Sequence, residues 1–488
     1  MYKQSVGFAT EATCFLIREA ISNEICQELI AHSEQRGILL TGDDYPPSYR
    51  DNDRLVFDDP AVASWLWQQL AEHLPSELPD ADGTLHLVGL NPRFRVCRYE
   101  HGQCFRVHQD GAHCPTPEVS SRLTCQIYLN SSDEFSGGAT RFYSARHGEL
   151  LGAVRPQRGT AIVFDHRLWH DGEAVDGGRK YVLRTDVLYR RESIHKLRPV
   201  SDPSDGKMRS LAGHQGYIWS VIPIGSGRLA TASRDRTIRL WEQKGRRWQC
   251  FHVLCGATAS LSSLAYVDGQ LWSGSRDRML YRWDLATGEA TPVARCEGAV
   301  LGLCLHRDRL LLGSADGKLR VVARSGALHD TIAISPTWLW SVAGLDREFV
   351  LTGDEDGALR LCSVSTGQLT ATLNPGHGAV HALQALTDGR VAAGFADGRL
   401  AIYHSDCDSL TEEHCWSAHQ GEVYTLATDG KRLASGGEDG ALHLWELSPS
   451  PRRRLSFPHP NFVRSACFLD DGSLASGCYD GLLRIFAT

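Results

Sequence analysis

The sequence predicts a mainly β chain of two domains. Its 488 residues exceed the roughly 250–300 residues at which a single hydrophobic core stops growing. The second half carries a repeat with a period of roughly 40 residues, a length typical of repeated β-sheet units. Residues from Val88 to Tyr189 alternate short apolar and polar runs between glycine-rich turns, which is typical of a β-sandwich or barrel. We therefore expect two successive β domains.

Helices are expected only near the beginning of the chain. Ser22 is a capping residue, apolar positions at helical spacing follow it, and Gly37 ends the stretch, which is the pattern of an amphipathic helix. A second helix is expected from Pro60 to about Glu72. Residues 195–206 are polar and contain proline, so we place a linker there, between a first domain at 1–194 and a second at 207–488.

The composition excludes several classes of partner. A net charge of −7 with dispersed lysine and arginine argues against nucleic acid, which requires a basic patch or stripe. No apolar run approaches the roughly 20 residues that cross a bilayer, so no membrane contact is expected. The chain begins without a secretory signal, and its 15 cysteines are an odd number without paired spacing. Free thiols in the cytoplasm are therefore expected.

The repeats of the second half share a turn aspartate. A small residue, Ala or Gly, stands three positions before each aspartate, and alternating apolar positions follow it. They are Asp235, Asp277, Asp316, Asp356, Asp397, Asp439 and Asp480.

The repeats also carry dipeptide signatures. Gly213-His214, Gly376-His377 and Ala418-His419 precede three of the aspartates, and Trp283-Asp284 ends one repeat. These features resemble the WD40 repeat, although the repeats around Asp316 and Asp356 lack both signatures. The resemblance implies a seven-bladed β-propeller that serves as an interaction platform, with His214 bonded to Asp235. Because the last repeat ends abruptly, the segment Lys207–Leu211 is expected to supply the outer strand of the last blade.

Three residues of the first domain suggest a metal site. His108 and Asp110 are spaced to share one face of a strand, and a distant strand is expected to bring His170 across to them. Two imidazoles and one carboxylate form the non-heme Fe(II) oxygenase site. The pattern His-x-Asp also occurs at 306–308 and 404–406, so spacing alone decides nothing. The alternative is a pair of structural histidines.

The surroundings of this triad distinguish it from the other two occurrences. Five segments follow in order: 98–110, 123–130, 137–142, 170–175 and 178–186. Together they resemble the prolyl 4-hydroxylase-like branch of the 2-oxoglutarate dioxygenases over nearly all of residues 10–190. The resemblance implies a double-stranded β-helix (jelly-roll) with flanking helices. It also implies Fe(II) as cofactor, 2-oxoglutarate and O2 as co-substrates, and ascorbate as a candidate reductant.

The same resemblance suggests which residues bind the co-substrate. A basic residue about ten positions after the distal histidine meets the 5-carboxylate of 2-oxoglutarate, which selects Lys180. Arg184 shares a strand face with Lys180 and is the alternative or an addition, whereas Arg179 has the opposite parity. Tyr99 and Tyr128 match tyrosines near the co-substrate, and the alternative for both is a buried aromatic of the barrel.

Three functions are consistent with the sequence. The first is hydroxylation of a residue, with prolyl favoured, in a protein or peptide that the propeller recruits. The second is hydroxylation of a free amino acid or small metabolite, with the propeller as a docking module. The third is a non-enzymatic scaffold or an iron or oxygen sensor, and an intact triad argues against it.

Overall fold

The computed structural model of the chain describes residues 1–8, 13–40, 46, 50–80, 83–113, 115, 119–146, 148–191, 208–225, 227–245, 247–345, 348–387 and 389–488. It divides into two compact units, Met1–Lys196 and Leu197–Thr488. The expected linker at 195–206 lies outside the described residues. Strands make up 57% of the chain and helices 6%, which confirms the mainly β prediction.

Both expected helices are present in the first unit. Helix α1 spans Asn23–Arg36, and Ser22 caps it by accepting a hydrogen bond from the backbone N–H of Ile25. Helix α2 spans Pro60–Leu70, and the Asp59 carboxylate caps its first turn. A short 3-10 turn follows at Ala71–His73. Neither α-helix is long and apolar enough to span a bilayer.

The strands of the first unit are β1 Tyr2–Ser5, β2 Cys14–Arg18, β3 Leu39–Leu40, β4 Asp53–Asp58, β5 Glu77–Asp80, β6 Gly83–Leu90, β7 Arg93–Tyr99, β8 Phe105–His108, β9 Val119–Tyr128, β10 Phe135–Gly137, β11 Thr140–Tyr143, β12 Leu150–Val154, β13 Ala161–Asp165, β14 Trp169–Gly172, β15 Val175–Gly178 and β16 Lys180–Arg191.

These strands form a large sheet, a small sheet and a two-stranded ribbon. The large sheet has the order β1-β2-β13-β9-β16-β7-β4-β3, with β6 also paired to β16 and β5 to β6. The small sheet has the order β12-β11-β14-β8, and β10 pairs with β15. All of these strand pairs are antiparallel.

The large sheet buries both of its faces. One face packs against the two helices, in a core that includes Cys26, Leu66 and Val163. The other face packs against the small sheet, in a core that includes Phe142 and Phe164. Because successive residues of a strand point to opposite faces, neighbours such as Val163 and Phe164 enter different cores.

The strands of the second unit are β17 Met208–Leu211, β18 Ile218–Pro223, β19 Arg228–Ser233, β20 Ile238–Lys244, β21 Arg247–Leu254, β22 Leu261–Val267, β23 Gln270–Ser275, β24 Met279–Trp283, β25 Ala290–Arg295, β26 Val300–His306, β27 Arg309–Ser314, β28 Lys318–Ala323, β29 Leu328–Ala333, β30 Leu339–Gly344, β31 Phe349–Asp354, β32 Leu359–Ser363, β33 Leu369–Leu373, β34 Val380–Ala385, β35 Arg390–Phe395, β36 Arg399–Ser405, β37 Leu410–Ser417, β38 Val423–Thr428, β39 Arg432–Gly437, β40 Ala441–Glu446, β41 Arg452–Pro458, β42 Val463–Phe468, β43 Leu474–Cys478 and β44 Leu483–Phe486.

These strands form four-stranded antiparallel sheets along the chain. Six of the sheets run through consecutive strands, from β18–β21 to β38–β41. The remaining sheet has the order β17-β44-β43-β42, with Met208 opposite Phe486 and Leu211 opposite Leu483. The prediction that the segment before the first repeat completes the last one is therefore confirmed, and this pairing covers an edge that would otherwise be exposed.

Hydrogen bonds tie the strands of the first sheet together. The His214 Nδ1–H donates to Asp235 Oδ2 at 2.8 Å, as predicted. On the other side of the ring, His214 Nε2 lies 2.7 Å from Thr231 Oγ1, to which the Trp241 indole N–H donates at 2.8 Å. His419, Asp439, Ser435 and Trp445 repeat this arrangement in the sheet β38–β41.

In the repeat around Asp356, a different carboxylate forms the hydrogen bonds that link the strands. Asp356 occupies the expected turn, but the buried carboxylate is that of Asp354. It accepts hydrogen bonds from Ser335 Oγ at 2.7 Å and Arg360 Nε at 2.9 Å. Ser335 stands where His214 stands in the first repeat, so the Ser335 hydroxyl and the Arg360 guanidinium replace the histidine bond.

Candidate metal centre

Two of the three expected ligands lie on neighbouring strands of the small sheet, and the third lies just beyond one of these strands. Strand β8 ends at His108, which lies directly opposite His170 of β14. Asp110 follows two residues later, outside the strand, where its backbone N–H donates to the His166 carbonyl oxygen at 2.9 Å. The expectation that His108 and Asp110 share one strand is therefore wrong. The chain leaves the strand after His108, and the His166 carbonyl fixes the position of Asp110.

The side chains of the triad converge at one point. His108 Nε2 lies 3.5 Å from Asp110 Oδ1, and His170 Nε2 lies 3.7 Å from Asp110 Oδ2. The ligand atoms of all three residues lie within 4.8 Å of one another. All three side chains are buried, with 3–6% of their surface exposed. Three ligand atoms at these separations could bind one metal ion.

The two imidazoles are oriented by the backbone. His108 Nδ1 lies 2.7 Å from the Arg106 carbonyl oxygen, and His170 Nδ1 lies 2.9 Å from the Leu168 carbonyl oxygen. A carbonyl oxygen can only accept a hydrogen bond, so both Nδ1 atoms carry the proton. Both Nε2 lone pairs then face Asp110. Metal-binding histidines are typically held in this way.

The protonation states of the three residues are those that metal binding requires: neutral histidines and an ionised aspartate. Burial lowers the pKa of His170 to about 3 and lowers that of His108 as well, so both rings are neutral. Burial alone would raise the pKa of Asp110, but the Arg184 guanidinium and the two histidines hold it well below its usual range. The residues therefore offer two neutral imidazoles and one carboxylate, the donor set of a non-heme iron(II) site.

The Asp110 carboxylate has two further partners. Thr124 Oγ1 donates to Asp110 Oδ2 at 2.5 Å, and Arg184 Nη2 lies 2.5 Å from Asp110 Oδ1. The sequence suggested Arg184 as a co-substrate residue, and the structure places it against this ligand. Thr124 belongs to the segment 123–130, but its contact with Asp110 could not be predicted from the sequence.

Lys180 lies beside the triad in a cavity. The cavity is lined by Arg50, Cys97, Tyr99, Phe105, His108, Gln126, Thr140, His170, Asp171, Gly172, Lys180, Val182 and Arg184. Lys180 is 2% exposed, and its Nζ lies 5.0 Å from the centre of the Tyr99 ring. Within the described part of the chain, no hydrogen bond or ion pair of the Lys180 ammonium group is found, and burial lowers the pKa of Lys180 to about 8.

A glycine makes room for this lysine. Gly138 has a φ of +71°, and a Cβ there would lie 3.0 Å from the Phe135 ring and 3.1 Å from Lys180 Cδ. A side chain at 138 would therefore push against the lysine stem as well as strain the backbone. The pair Gly137-Gly138 begins the segment 137–142, and Gly138 leaves the space that the Lys180 side chain occupies.

The other residues suggested for the co-substrate occupy different surroundings. Arg179 is 58% exposed and pairs with Glu100 at 2.9 Å, outside the cavity. Tyr99 lines the cavity, and burial raises its pKa. Tyr128 is buried behind the lining and donates to Thr140 Oγ1 at 2.8 Å.

Arg50 lines the cavity but was not identified from the sequence. It is 5% exposed and donates to Asn52 Oδ1 and to Cys97 Sγ, the latter at 3.1 Å. Its guanidinium lies 4.4 Å from the centre of the Phe105 ring. Nothing in the residues around 50 forms a motif, so only tertiary structure reveals this contact.

Family models match both units. Residues 94–185 match the 2OG-Fe(II) oxygenase superfamily, and residues 206–242, 410–446 and 451–486 match the WD domain, G-beta repeat. The chain contains a 2OG-Fe(II) oxygenase domain and WD40 repeats. The oxygenase match includes all three residues of the triad, Lys180 and Arg184.

Curated relatives match through part of their length. DENN domain and WD repeat-containing protein SCD1 of Arabidopsis thaliana is 24% identical over 259 residues, 49% of this chain and 21% of that protein. Autophagy-related protein 16 of Arabidopsis thaliana is 26% identical over 261 residues, 50% of this chain and 48% of that protein. The chain therefore spans about a fifth and about half of these two relatives.

A solved structure shares the fold of the WD40 part. The crystal structure of the WD40 beta propeller domain of Doa1 superimposes with a TM-score of 0.53 and 21% identity, over 57% of this chain and 95% of that one. The likeness establishes a propeller-like fold for this part of the molecule.

Proposed function

We propose that the chain is an Fe(II)- and 2-oxoglutarate-dependent dioxygenase of the prolyl 4-hydroxylase-like branch. Its oxygenase domain would be a jelly-roll and its WD40 part a seven-bladed propeller. One observation carries the proposal: His108, His170 and Asp110 converge, and backbone carbonyls orient both Nε2 lone pairs toward Asp110. A buried histidine pair of purely structural role would not need a carboxylate between its Nε2 atoms.

His108, Asp110 and His170 would hold the iron, and Lys180 would bind the 5-carboxylate of 2-oxoglutarate. A buried cation requires a partner, and the acidic co-substrate supplies one. Tyr99, which lies against Lys180, would contact the same carboxylate. Arg184 would hold the Asp110 carboxylate in place, and Tyr128 would support Thr140 in the cavity lining.

Bound iron and 2-oxoglutarate would supply the activation of O2 and the hydroxylation of a C–H bond, with ascorbate as a candidate reductant. Side chains of the chain would form the surroundings of the reacting groups. Phe105 stacks on the His108 ring with 3.6 Å between ring centres, and Phe164 packs edge-on against His170 at 4.6 Å. These apolar rings would keep water away from the ligand side of the site. Asp110 favours hydroxylation, because related halogenases lack this carboxylate.

The substrate would be a residue of a protein or peptide, with prolyl favoured, and the chain would act in the cytoplasm. The WD40 repeats support a protein-interaction module, and an oxygenase fused to such a module gains substrate through a raised local concentration. A small-metabolite substrate is the alternative, with the propeller as a docking module.

The test is isotopic labelling of a host lysate. Purified full-length protein is incubated with lysate, iron(II), 2-oxoglutarate and 18O2, and the Asp110→Ala variant serves as the control. We expect an 18O label on a residue of one or a few proteins, absent with the variant. A label confined to free metabolites would favour the alternative substrate class, and no label in any fraction would contradict the proposed activity.

Recruitment is tested separately, once a substrate is known. The unit Met1–Lys196 is compared with the full chain on the intact substrate and on a short target peptide. We expect equal rates on the peptide and a lower efficiency of the isolated unit on the intact protein. Equal efficiency on both would show that the propeller does not recruit the substrate.

A further inference from the structure

The WD40 part contains a second group of metal-ligating side chains, in the sheet β34–β37. In three other sheets a histidine Nε2 atom lies beside a hydroxyl group: His214 beside Thr231, His419 beside Ser435 and His459 beside Ser476, at 2.7–2.8 Å. In the sheet β34–β37 the equivalent histidine is His377, and Ala393 stands where the hydroxyl residue would be. His377 Nε2 therefore has a different neighbour.

That neighbour is the thiol of Cys415. His377 Nε2 lies 3.7 Å from Cys415 Sγ, and the Glu412 carboxylate completes a group whose ligand atoms all lie within 4.8 Å of one another. On the opposite side of the ring, His377 Nδ1 lies 3.0 Å from Asp397 Oδ2. Phe395 packs edge-on against the ring at 5.3 Å. The imidazole is thus held with Nε2 toward the thiol and the carboxylate.

The strand register explains how Cys415 reaches the histidine. Ala393 of β35 lies opposite Ala401 of β36, which lies opposite Cys415 of β37. Two alanines in line leave space for the cysteine side chain. The other sheets have a large side chain at the register position of Ala401, namely Arg239, Tyr281, Arg320, Arg360, His443 and Arg484.

We propose that His377, Glu412 and Cys415 form a zinc(II) site, with a water molecule as the fourth ligand. Imidazole, thiolate and carboxylate are the three ligand types that zinc takes in proteins. Tetrahedral zinc with nitrogen at about 2.0–2.1 Å and sulfur at about 2.3 Å separates those two atoms by about 3.6 Å. The observed separation of 3.7 Å requires little rearrangement.

The surroundings of the three ligands fit this role. Asp397 fixes the proton on Nδ1, in the carboxylate–histidine–metal arrangement common at zinc sites. The thiol proton passes to solvent when the metal binds, because the ligand is the thiolate. Arg399 Nη1 lies 3.9 Å from Cys415 Sγ, but this side chain is 45% exposed and can turn toward solvent. The site joins the outer strand β37 to the segment before β34.

Cobalt(II) is the probe, because a thiolate bound to cobalt gives a sulfur-to-metal charge-transfer absorption. The iron triad contains no sulfur ligand, so this band does not come from the triad, and the cysteine variants assign it to one thiol. Reduced full-length protein titrated with cobalt(II) is expected to show the band, and zinc(II) is expected to displace it. The His108→Ala variant should keep the band, which separates this site from the proposed iron centre.

The variants address each ligand. Cys415→Ser should lose the band, while Cys407→Ser, at an exposed cysteine, should keep it. Asp397→Asn should weaken cobalt binding roughly 10–100-fold, and Glu412→Gln, at an exposed carboxylate, should weaken binding and keep the band. Circular dichroism checks the fold of each variant. Absence of the band in the reduced full chain, its survival in Cys415→Ser, or unchanged affinity in Glu412→Gln would each overturn the proposal.

Discussion

Arg184 Nη2 lies 2.5 Å from Asp110 Oδ1. This contact distinguishes Arg184 from Lys180, the other basic residue that the sequence places on the same strand face. Arg184 already has an acidic partner within the triad. Lys180 lies four residues earlier on β16, and the described residues provide no hydrogen bond or ion pair to its ammonium group. The two cations therefore have different expected roles, although both line one cavity.

Substitution of Lys180 is expected to impair use of 2-oxoglutarate. Lys180→Ala should raise the KM for 2-oxoglutarate roughly 100-fold, because leaving a buried charge without its partner costs about 3 kcal/mol. Arg184→Ala should raise it less. Steady-state kinetics over a range of 2-oxoglutarate concentrations measures both. Arg179→Ala is the matched control, since Arg179 is exposed and should leave KM unchanged. A larger effect of Arg184→Ala would assign the co-substrate to Arg184.

The pH dependence of the reaction should report Lys180. Burial lowers the pKa of Lys180 to about 8, and only the protonated amine attracts the carboxylate. The kcat/KM for 2-oxoglutarate should be constant below about pH 8 and fall about tenfold per pH unit above it, since this parameter reports the free enzyme. Lys180→Arg should remove the fall, because a guanidinium stays charged. An identical fall in that variant would exclude Lys180 as its source.

The triad should determine iron binding. His108→Ala and Asp110→Ala should each lose most of the iron(II) bound anaerobically by the wild-type protein, because two remaining ligands hold the ion poorly. Metal analysis after gel filtration measures the stoichiometry. His404→Ala is a suitable control, since His404 and Asp406 form another His-x-Asp pair, on a partly exposed strand end. Equal iron content in all three variants would contradict the site.

Acid should destabilise the WD40 part through His214 and Asp235. Burial lowers the pKa of folded His214, so the unfolded chain binds its proton first and stability falls as the pH drops below about 6.5. Burial alone would raise the pKa of Asp235, but the His214 hydrogen bond lowers it. The contribution of Asp235 to folded-state stability is therefore fully present above about pH 4 and is lost as the pH falls further.

Calorimetry of the full chain at several pH values tests this expectation. The transition of the WD40 part should shift to lower temperature on acidification, and Asp235→Asn should lower it at neutral pH. Asp356→Asn changes the same turn position in another repeat, where Asp354 accepts the hydrogen bonds between strands. This variant should have little effect on the transition temperature. Equal shifts in the two variants would show that the histidine bond contributes nothing measurable.

Much of the fold follows from local patterns. Short-range signals or the count of strands determine the Ser22 cap, the start of α2 at Pro60, the turn aspartates and the pairing of β17 with β44, so the sequence reveals them. The position of Asp110 did not follow, because it depends on the His166 carbonyl, which approaches only when β8 and β14 pair. The role of Arg184 could not be assigned for a similar reason. The alternation of side chains along a strand predicts which face of the sheet Arg184 is on, but not which residue it contacts.

Other features are visible only in three dimensions. Arg50 reaches the site from outside the five segments, and no spacing connects either Arg50 or Thr124 to His108. The group at His377 was read only as a repeat signature. Its ligands lie on opposite sides of β36, and the two alanines between them become informative only when the strand register is known.

Release of carbon dioxide from 2-oxoglutarate tests the central claim most directly. Full-length protein is incubated with carboxyl-labelled 2-oxoglutarate in air, with and without iron(II), beside Asp110→Ala. We expect the release of labelled carbon dioxide to require both iron and the intact triad. The release should be slow with the protein alone and faster when lysate supplies a substrate. Release that is independent of iron or equal in the Asp110→Ala variant, or no release even with lysate, would contradict the assignment of His108, Asp110 and His170 as an oxygenase centre.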